Sequence, residues 1–249
     1  MSGVEITIGT RVADFLRRFS VKVYRDRHPI KVRIEDNPET GTWKLVLREP
    51  LPLQQQPSDW GPVQGDPAAI RTWLLDRDAI DYGTTVARLF LKGNASKRVR
   101  IRDIRVRVLS RHPAITETLI DSPPQGDQVA TLLMYDLDSD EPRAYEGKLF
   151  GAKERVGEVP FFHAHSPTLE YDETIEYRID ATTAVSFVEW MLDVEYELDG
   201  KVGVIPVHSP RGGWFRTSGG ERAEFAQVWW VGAAALGATF REEDPKHWA

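Results

Sequence analysis

Residues 187–207 read FVEWMLDVEYELDGKVGVIPV. From Val188 to Leu198 every second residue is apolar: Val188, Trp190, Leu192, Val194, Tyr196 and Leu198. Glu189, Met191, Asp193, Glu195 and Glu197 stand between them. A period of two belongs to an extended chain with one buried face and one wet face. Asp199-Gly200 then supplies a two-residue turn of the type that matches hairpin twist. Such a loop pairs Leu198 with Lys201, Tyr196 with Gly203, Val194 with Ile205 and Leu192 with Val207, keeping the apolar residues of both strands on one face. Pro206 falls opposite Asp193, where a backbone N–H would point away from the hairpin partner. The second strand is therefore expected at a sheet edge, or bulged, near Pro206.

The same period recurs outward from this hairpin. Val99 and Ile101 share one parity, whereas Ile104, Val106 and Val108 share the other, so a bulge is predicted at Arg102-Asp103. Alternation also marks strands at Ile30–Ile34, Trp43–Leu47, Thr84–Leu91 and Thr174–Ile179. Val129–Leu137 and Phe225–Val231 read as apolar strands, and Lys148–Phe150 and Val159–Ala164 as short ones. Towards the N-terminus, Val4, Ile6 and Ile8 form a strand pattern. Thr10 could cap a helix carrying Val12, Phe15, Leu16 and Phe19, and Val21 and Val23 begin another strand. A helix is predicted from about Pro67 to Arg77, with Asp66 as its cap. The proline-rich stretch 49–67 reads as a linker, dividing an N-terminal β-rich segment (1–58, a small subdomain or extra strands) from a main sandwich domain (59–249). About a dozen short strands between turn residues predict a mainly β fold: an antiparallel β-sandwich with one or two short helices.

A formal net charge of -6 makes nucleic acid an unexpected partner. The absence of cysteine removes disulfides, thiolate metal sites and cysteine nucleophiles together, and fits a reducing compartment. With no signal pattern at MSGVEITIGT, a cytoplasmic location is expected. The longest apolar run, Val228–Phe240, is too short and broken to span a bilayer.

Among candidates for chemistry, Arg98, Arg100, Arg102, Arg105, Arg107 and Arg111 project mainly from the wet side of one strand. They suit an anion or acidic polymer, or else they pair with the wet acidic row Glu189, Asp193, Glu195 and Glu197, should the two strands be neighbours. His163 and His165 in FFHAHSP would share a face of a strand, a spacing that metal sites use. The loop Arg211–Gly220 (RGGWFRTSGG) is rich in glycine but lacks the G-K-[ST] core of a phosphate loop; it presents Trp214 and Phe215. Trp43, Trp73 and Trp190 fall at core positions, leaving Trp60, Trp214 and Trp248 for a sugar-stacking platform. Trp229 and Trp230 must face opposite sides of a strand, which makes Val228–Phe240 a candidate partner surface. Neither G-x-S-x-G nor H-E-x-x-H occurs. The expectation is a non-enzymatic β-sandwich module that binds a protein partner or self-associates, without a cofactor. The alternatives are a carbohydrate- or polyanion-binding module and a metal-dependent enzyme using His163 and His165.

Several stretches together resemble a family of uncharacterised β-rich proteins common in Streptomyces and related actinobacteria. They are LFLKG at Leu89–Gly93, VRIRDIRVRVLSR at Val99–Arg111, LDSDEP at Leu137–Pro142, EWMLDVEYELDGKVG at Glu189–Gly203 and WFRTSGG at Trp214–Gly220. The resemblance spans roughly residues 70–220. It implies no activity and no site residues. Members of that family often look anchored by an N-terminal helix, a feature with no counterpart in this sequence.

Overall fold

Two packed β-sheets make this a mainly β, sandwich-like protein. The computed structural model describes residues 24–36, 43–51, 67–122, 131–148, 154–234 and 237–248. The expected N-terminal strands and helix (4–23), Trp60 and most of the proline-rich linker lie outside the described residues.

The smaller sheet contains β1 (Ile30–Asp36), β4 (Thr84–Gly93), β7 (Thr131–Asp136), β8 (Tyr145–Lys148), β9 (Glu154–Arg155) and β11 (Thr174–Thr182), in the order β1-β4-β11-β7-β8-β9. The larger sheet contains β2 (Trp43–Leu47), β3 (Ile80–Tyr82), β5 (Val99–Pro113), β6 (Thr118–Ser122), β10 (Thr168–Leu169), β12 (Ser186–Leu198), β13 (Lys201–Val207), β14 (Phe215–Ser218), β15 (Gln227–Ala234) and β16 (Gly237–Glu243). Its order is β10-β5-β12-β14-β3-β2-β6-β15-β16, with β13 added on the β12 hairpin. Pairing is antiparallel except for β11 with β7, β14 with β3 and β15 with β6. The N-terminal segment supplies β1 to one sheet and β2 to the other.

The hairpin register is the one its turn demands: Leu198 opposite Lys201, Tyr196 opposite Gly203, Val194 opposite Ile205, Asp193 opposite Pro206 and Leu192 opposite Val207. Asp199 and Gly200 adopt φ of 52° and 74°, as such a turn requires. The Tyr196 ring lies over Gly203, where a side chain would collide with it. The bulge falls at Arg102, which is skipped between Ile101 opposite Tyr196 and Asp103 opposite Glu195. It keeps Val99 and Ile101 buried together with Ile104 and Val106.

One half of the larger sheet faces the smaller sheet. Val188, Trp190, Leu192 and Val194 of β12 pack there with Leu89 and Leu91 of β4 and Tyr177 and Ile179 of β11. On the same face, beyond the smaller sheet, the helix α1 (Pro67–Leu75) takes over as cover. Ile70 and Leu74 pack onto Trp43, Leu45, Leu47, Ile120 and Trp229. The helix stops two residues short of the predicted Arg77; Asp78 then takes a left-handed conformation, φ 65°, which Asp tolerates. The opposite face of β2, β3, β6 and β15 buries Val46, Ile80, Leu119 and Val228 under Ile115 and Phe225.

One local expectation is corrected. Residues 161–164 form a helical turn, α2 (Phe161–Ala164), and not a strand, because Phe161 and Phe162 are both buried in the main core. Neighbouring residues of a strand face opposite ways, so a turn of helix is what lets both rings enter one core. The C-terminal stretch is held by Arg222, whose guanidinium pairs with Glu243 at 2.8 Å and Asp121 at 3.2 Å. Among the described residues no helix is long and apolar enough to cross a membrane.

A chain of hydrogen bonds crosses the core. Trp190 Nε1 donates to Thr217 Oγ1 at 2.9 Å, the Thr217 and Thr85 hydroxyls meet at 2.6 Å, and Thr85 donates to Asp81 Oδ2 at 3.0 Å. Because both ends have settled directions, Thr217 is the donor to Thr85. Thr217→Val keeps the volume but leaves the buried indole N–H and the Thr85 hydroxyl short of a partner, so a loss of about 1–3 kcal/mol is expected in urea denaturation.

Candidate functional site

The arginine strand and the acidic strand are neighbours, since β5 pairs along almost the whole of β12. Arg102 Nε lies 3.2 Å from Glu195, Arg105 Nη2 lies 3.2 Å from the same carboxylate, and Arg107 Nη2 lies 3.0 Å from Asp193. Arg105 also reaches the buried Asp103 at 2.7 Å, which Arg143 approaches at 3.4 Å from the loop after β7. Arg98 pairs with Glu170 at 2.6 Å, Arg100 donates to Ser166 at 2.9 Å, and Arg111 donates to the carbonyls of Leu137 and Ser139. Four of the six arginines, Arg98, Arg102, Arg105 and Arg107, are therefore paired with carboxylates. Exposed pairs of this kind contribute little each, but they align two long strands. Beside them an open groove of about 570 Å³ runs between Arg105–Arg111 and Asp140–Arg143.

On the other flank of β12, β13 pairs, among the described residues, with β12 alone. Its outer-face residues Val202 and Val204 are 52% and 55% exposed. In a two-residue hairpin the pair next to the turn is hydrogen-bonded, so Tyr196–Gly203, Val194–Ile205 and Leu192–Val207 are bonded pairs too. Val202 and Val204 consequently turn their N–H and C=O groups outward, away from β12. Pro206 turns only a carbonyl outward.

A second site lies where α1 replaces the smaller sheet. Asp36 at the end of β1, Arg71 of α1, Asp81 of β3 and Arg211 of the loop after β13 converge there. Arg211 Nε is 3.1 Å and Arg71 Nη1 3.5 Å from Asp36; Arg211 Nη2 and Arg71 Nη2 lie 3.5 and 3.6 Å from Asp81. Burial pushes the Asp81 carboxyl above its ordinary value, against the opposing pull of Arg211, Arg71 and the Thr85 hydroxyl. Next to this cluster a cleft of about 390 Å³ is lined by Asp78, Asp81, Glu189, Arg211, Trp214 and Arg216 among others. Trp214 is 45% exposed and packs against His208 at 5.2 Å.

Several expected site residues turn out to be core. Phe215 stacks on Trp190 at 4.3 Å, since it alternates with Trp214 and so faces inward. Trp229 is buried under α1, and Trp230 is half-buried on the opposite face. The strand that carries them lies between β6 and β16, not at an edge. His163 and His165 are exposed around the α2 turn, where their spacing does not place them on a common face. His165 contacts the Phe161 ring and lies 3.9 Å from Glu146. Among the described residues no three His, Asp or Glu side chains converge as a metal group. Sequence reading missed Asp36, Arg71, Asp81 and Arg211. The only trace is an Asp between Ile80 and Tyr82, in a strand too short to show a face. No protein-family model matches this chain, and no curated protein or solved structure matches it.

Two measurements follow from these sites. Replacing Arg102 and Arg107 by Gln is expected to cost about 0–1 kcal/mol for each pair, with the loss shrinking at high salt, while retention on a heparin column stays unchanged. For Asp81, the raised folded value means the folded state holds its proton more tightly than the unfolded chain. Its stabilising contribution is full below the unfolded value of 3.8 and is lost as pH rises through the folded value. Relative to Asp81→Asn, the wild type is therefore expected to gain stability between about pH 7 and about pH 4, measured by chemical denaturation at both.

Proposed function

We propose that this protein is a non-enzymatic interaction module that binds a protein strand along the free edge of β13. The observation that carries this reading is the pair Val202 and Val204, exposed apolar side chains on a strand whose outward backbone groups have no neighbouring strand among the described residues. Sheet edges of soluble proteins are ordinarily blunted by charge, shortness or cover, and an edge left long and apolar is suited to strand addition. Three of the other sheet edges are blunted: β9 and β10 are two residues long, and β1 carries Lys31, Arg33 and Glu35. In a pull-down with the chain as bait from its native host, Val204→Lys is expected to release the bound protein while leaving the melting temperature unchanged. A partner retained by the lysine variant would overturn the edge as the site.

A second reading, carbohydrate binding, is favoured by one observation: Trp214 is half-exposed over a cleft with carboxylates and guanidiniums, the chemistry that stacks and hydrogen-bonds a sugar ring. If it holds, glycan binding quenches tryptophan fluorescence and Trp214→Ala abolishes the binding.

A further inference from the structure

We infer that the strand received by this edge is β13 of a second copy, running antiparallel in a register centred on Gly203. The inference rests on the edge-binding reading above and names its partner. The outward bonding groups of β13 are the N–H and C=O of Val202, the N–H and C=O of Val204, and the lone C=O of Pro206. A two-fold axis through Gly203 sets Val202 of one copy opposite Val204 of the other. Every N–H and C=O of both valines is then used, and no proline lies opposite a strand residue. Sliding the register so that Val204 meets its own copy places Pro206 opposite Val202, whose carbonyl then lacks a donor. Sliding it the other way runs the pairing into the Asp199-Gly200 turn.

Side chains agree with the centred register. On the outer face, Val202 and Val204, both more than half exposed, become cross-strand neighbours of the copy's Val204 and Val202. On the inner face Gly203 meets Gly203 at a non-bonded pair, where antiparallel backbones approach to about 4.5 Å. A residue without a side chain suits that approach, and the Tyr196 ring covers the glycine from its own strand. Charge does not oppose the contact. The acidic rows of the two β12 strands stand three strand spacings apart, about 14 Å, beyond a screening length of about 8 Å at physiological salt. Each row is also paired with its own arginines. The seam is short, far below the roughly 1,200 Å² of a stable interface, so the association is weak and concentration-dependent.

Sedimentation equilibrium over a wide concentration range tests the inference. Wild type is expected to rise from the monomer mass towards twice that mass, while Val202→Lys and Val204→Lys stay monomeric with unchanged melting temperatures. Register is read by crosslinking, because the chain has no cysteine of its own. Mixed Val202→Cys and Val204→Cys chains should form a disulfide dimer several-fold faster than Val204→Cys alone. A wild type that stays monomeric throughout, or Val204→Cys chains that crosslink to themselves faster than the mixture, overturns the inference. A monomeric wild type that still loses its host partner on Val204→Lys leaves edge binding standing and removes only the self-pairing. If Val204→Lys changes neither readout, both readings fall.

Discussion

The pairing of β5 with β12 is the contact on which the other elements depend. It is the longest ladder among the described residues, and each of its faces does something different. The inner face provides Val99, Ile101, Ile104 and Val106 from one strand and Val188, Trp190, Leu192 and Val194 from the other, the floor on which the smaller sheet packs. The outer face carries guanidiniums against carboxylates. A slip of one residue would bury the charges and expose the apolar set, so burial and charge enforce the same register. The bulge at Arg102 reconciles two apolar runs of opposite parity within one strand.

Around that ladder the fold solves a covering problem. The larger sheet extends beyond the smaller one, and α1 shields what is left. Two covering layers leave a seam, and the seam is polar. Asp36, Arg71, Asp81 and Arg211 meet there, tied through Thr85 and Thr217 to the indole of Trp190. The buried members of this network, Asp81, Thr85 and Thr217, would be costly to bury unless each found a partner. The cleft under Trp214 opens beside it, and the free edge of β13 lies on the neighbouring strand pair. Both candidate binding features thus border the strand pairs that flank β12.

Legibility of this chain from its sequence followed the range of the interactions. The hairpin register, the Asp199-Gly200 turn, the bulge and the edge position of Pro206 are all set by neighbours a few residues apart, and alternation reveals them directly. The charge pairing across β5 and β12 was readable as a conditional: it held once the strands were adjacent. At α2 the alternation argument failed, because two consecutive phenylalanines had to enter one core. Phe215 and Trp229, candidate surface residues by composition, became core for the same reason, since a strand's two faces are assigned by what covers them.

By itself, then, the sequence determined a mainly β chain, the geometry of its central hairpin and the identity of the edge strand, since backbone period and turn chemistry are local. Only the tertiary structure decided which strands neighbour β12, that α1 takes over as cover beyond the smaller sheet, and that four charged residues far apart in the chain meet at one seam around the buried Asp81. Those outcomes depend on which apolar faces bury one another, and that choice is made by the whole chain at once.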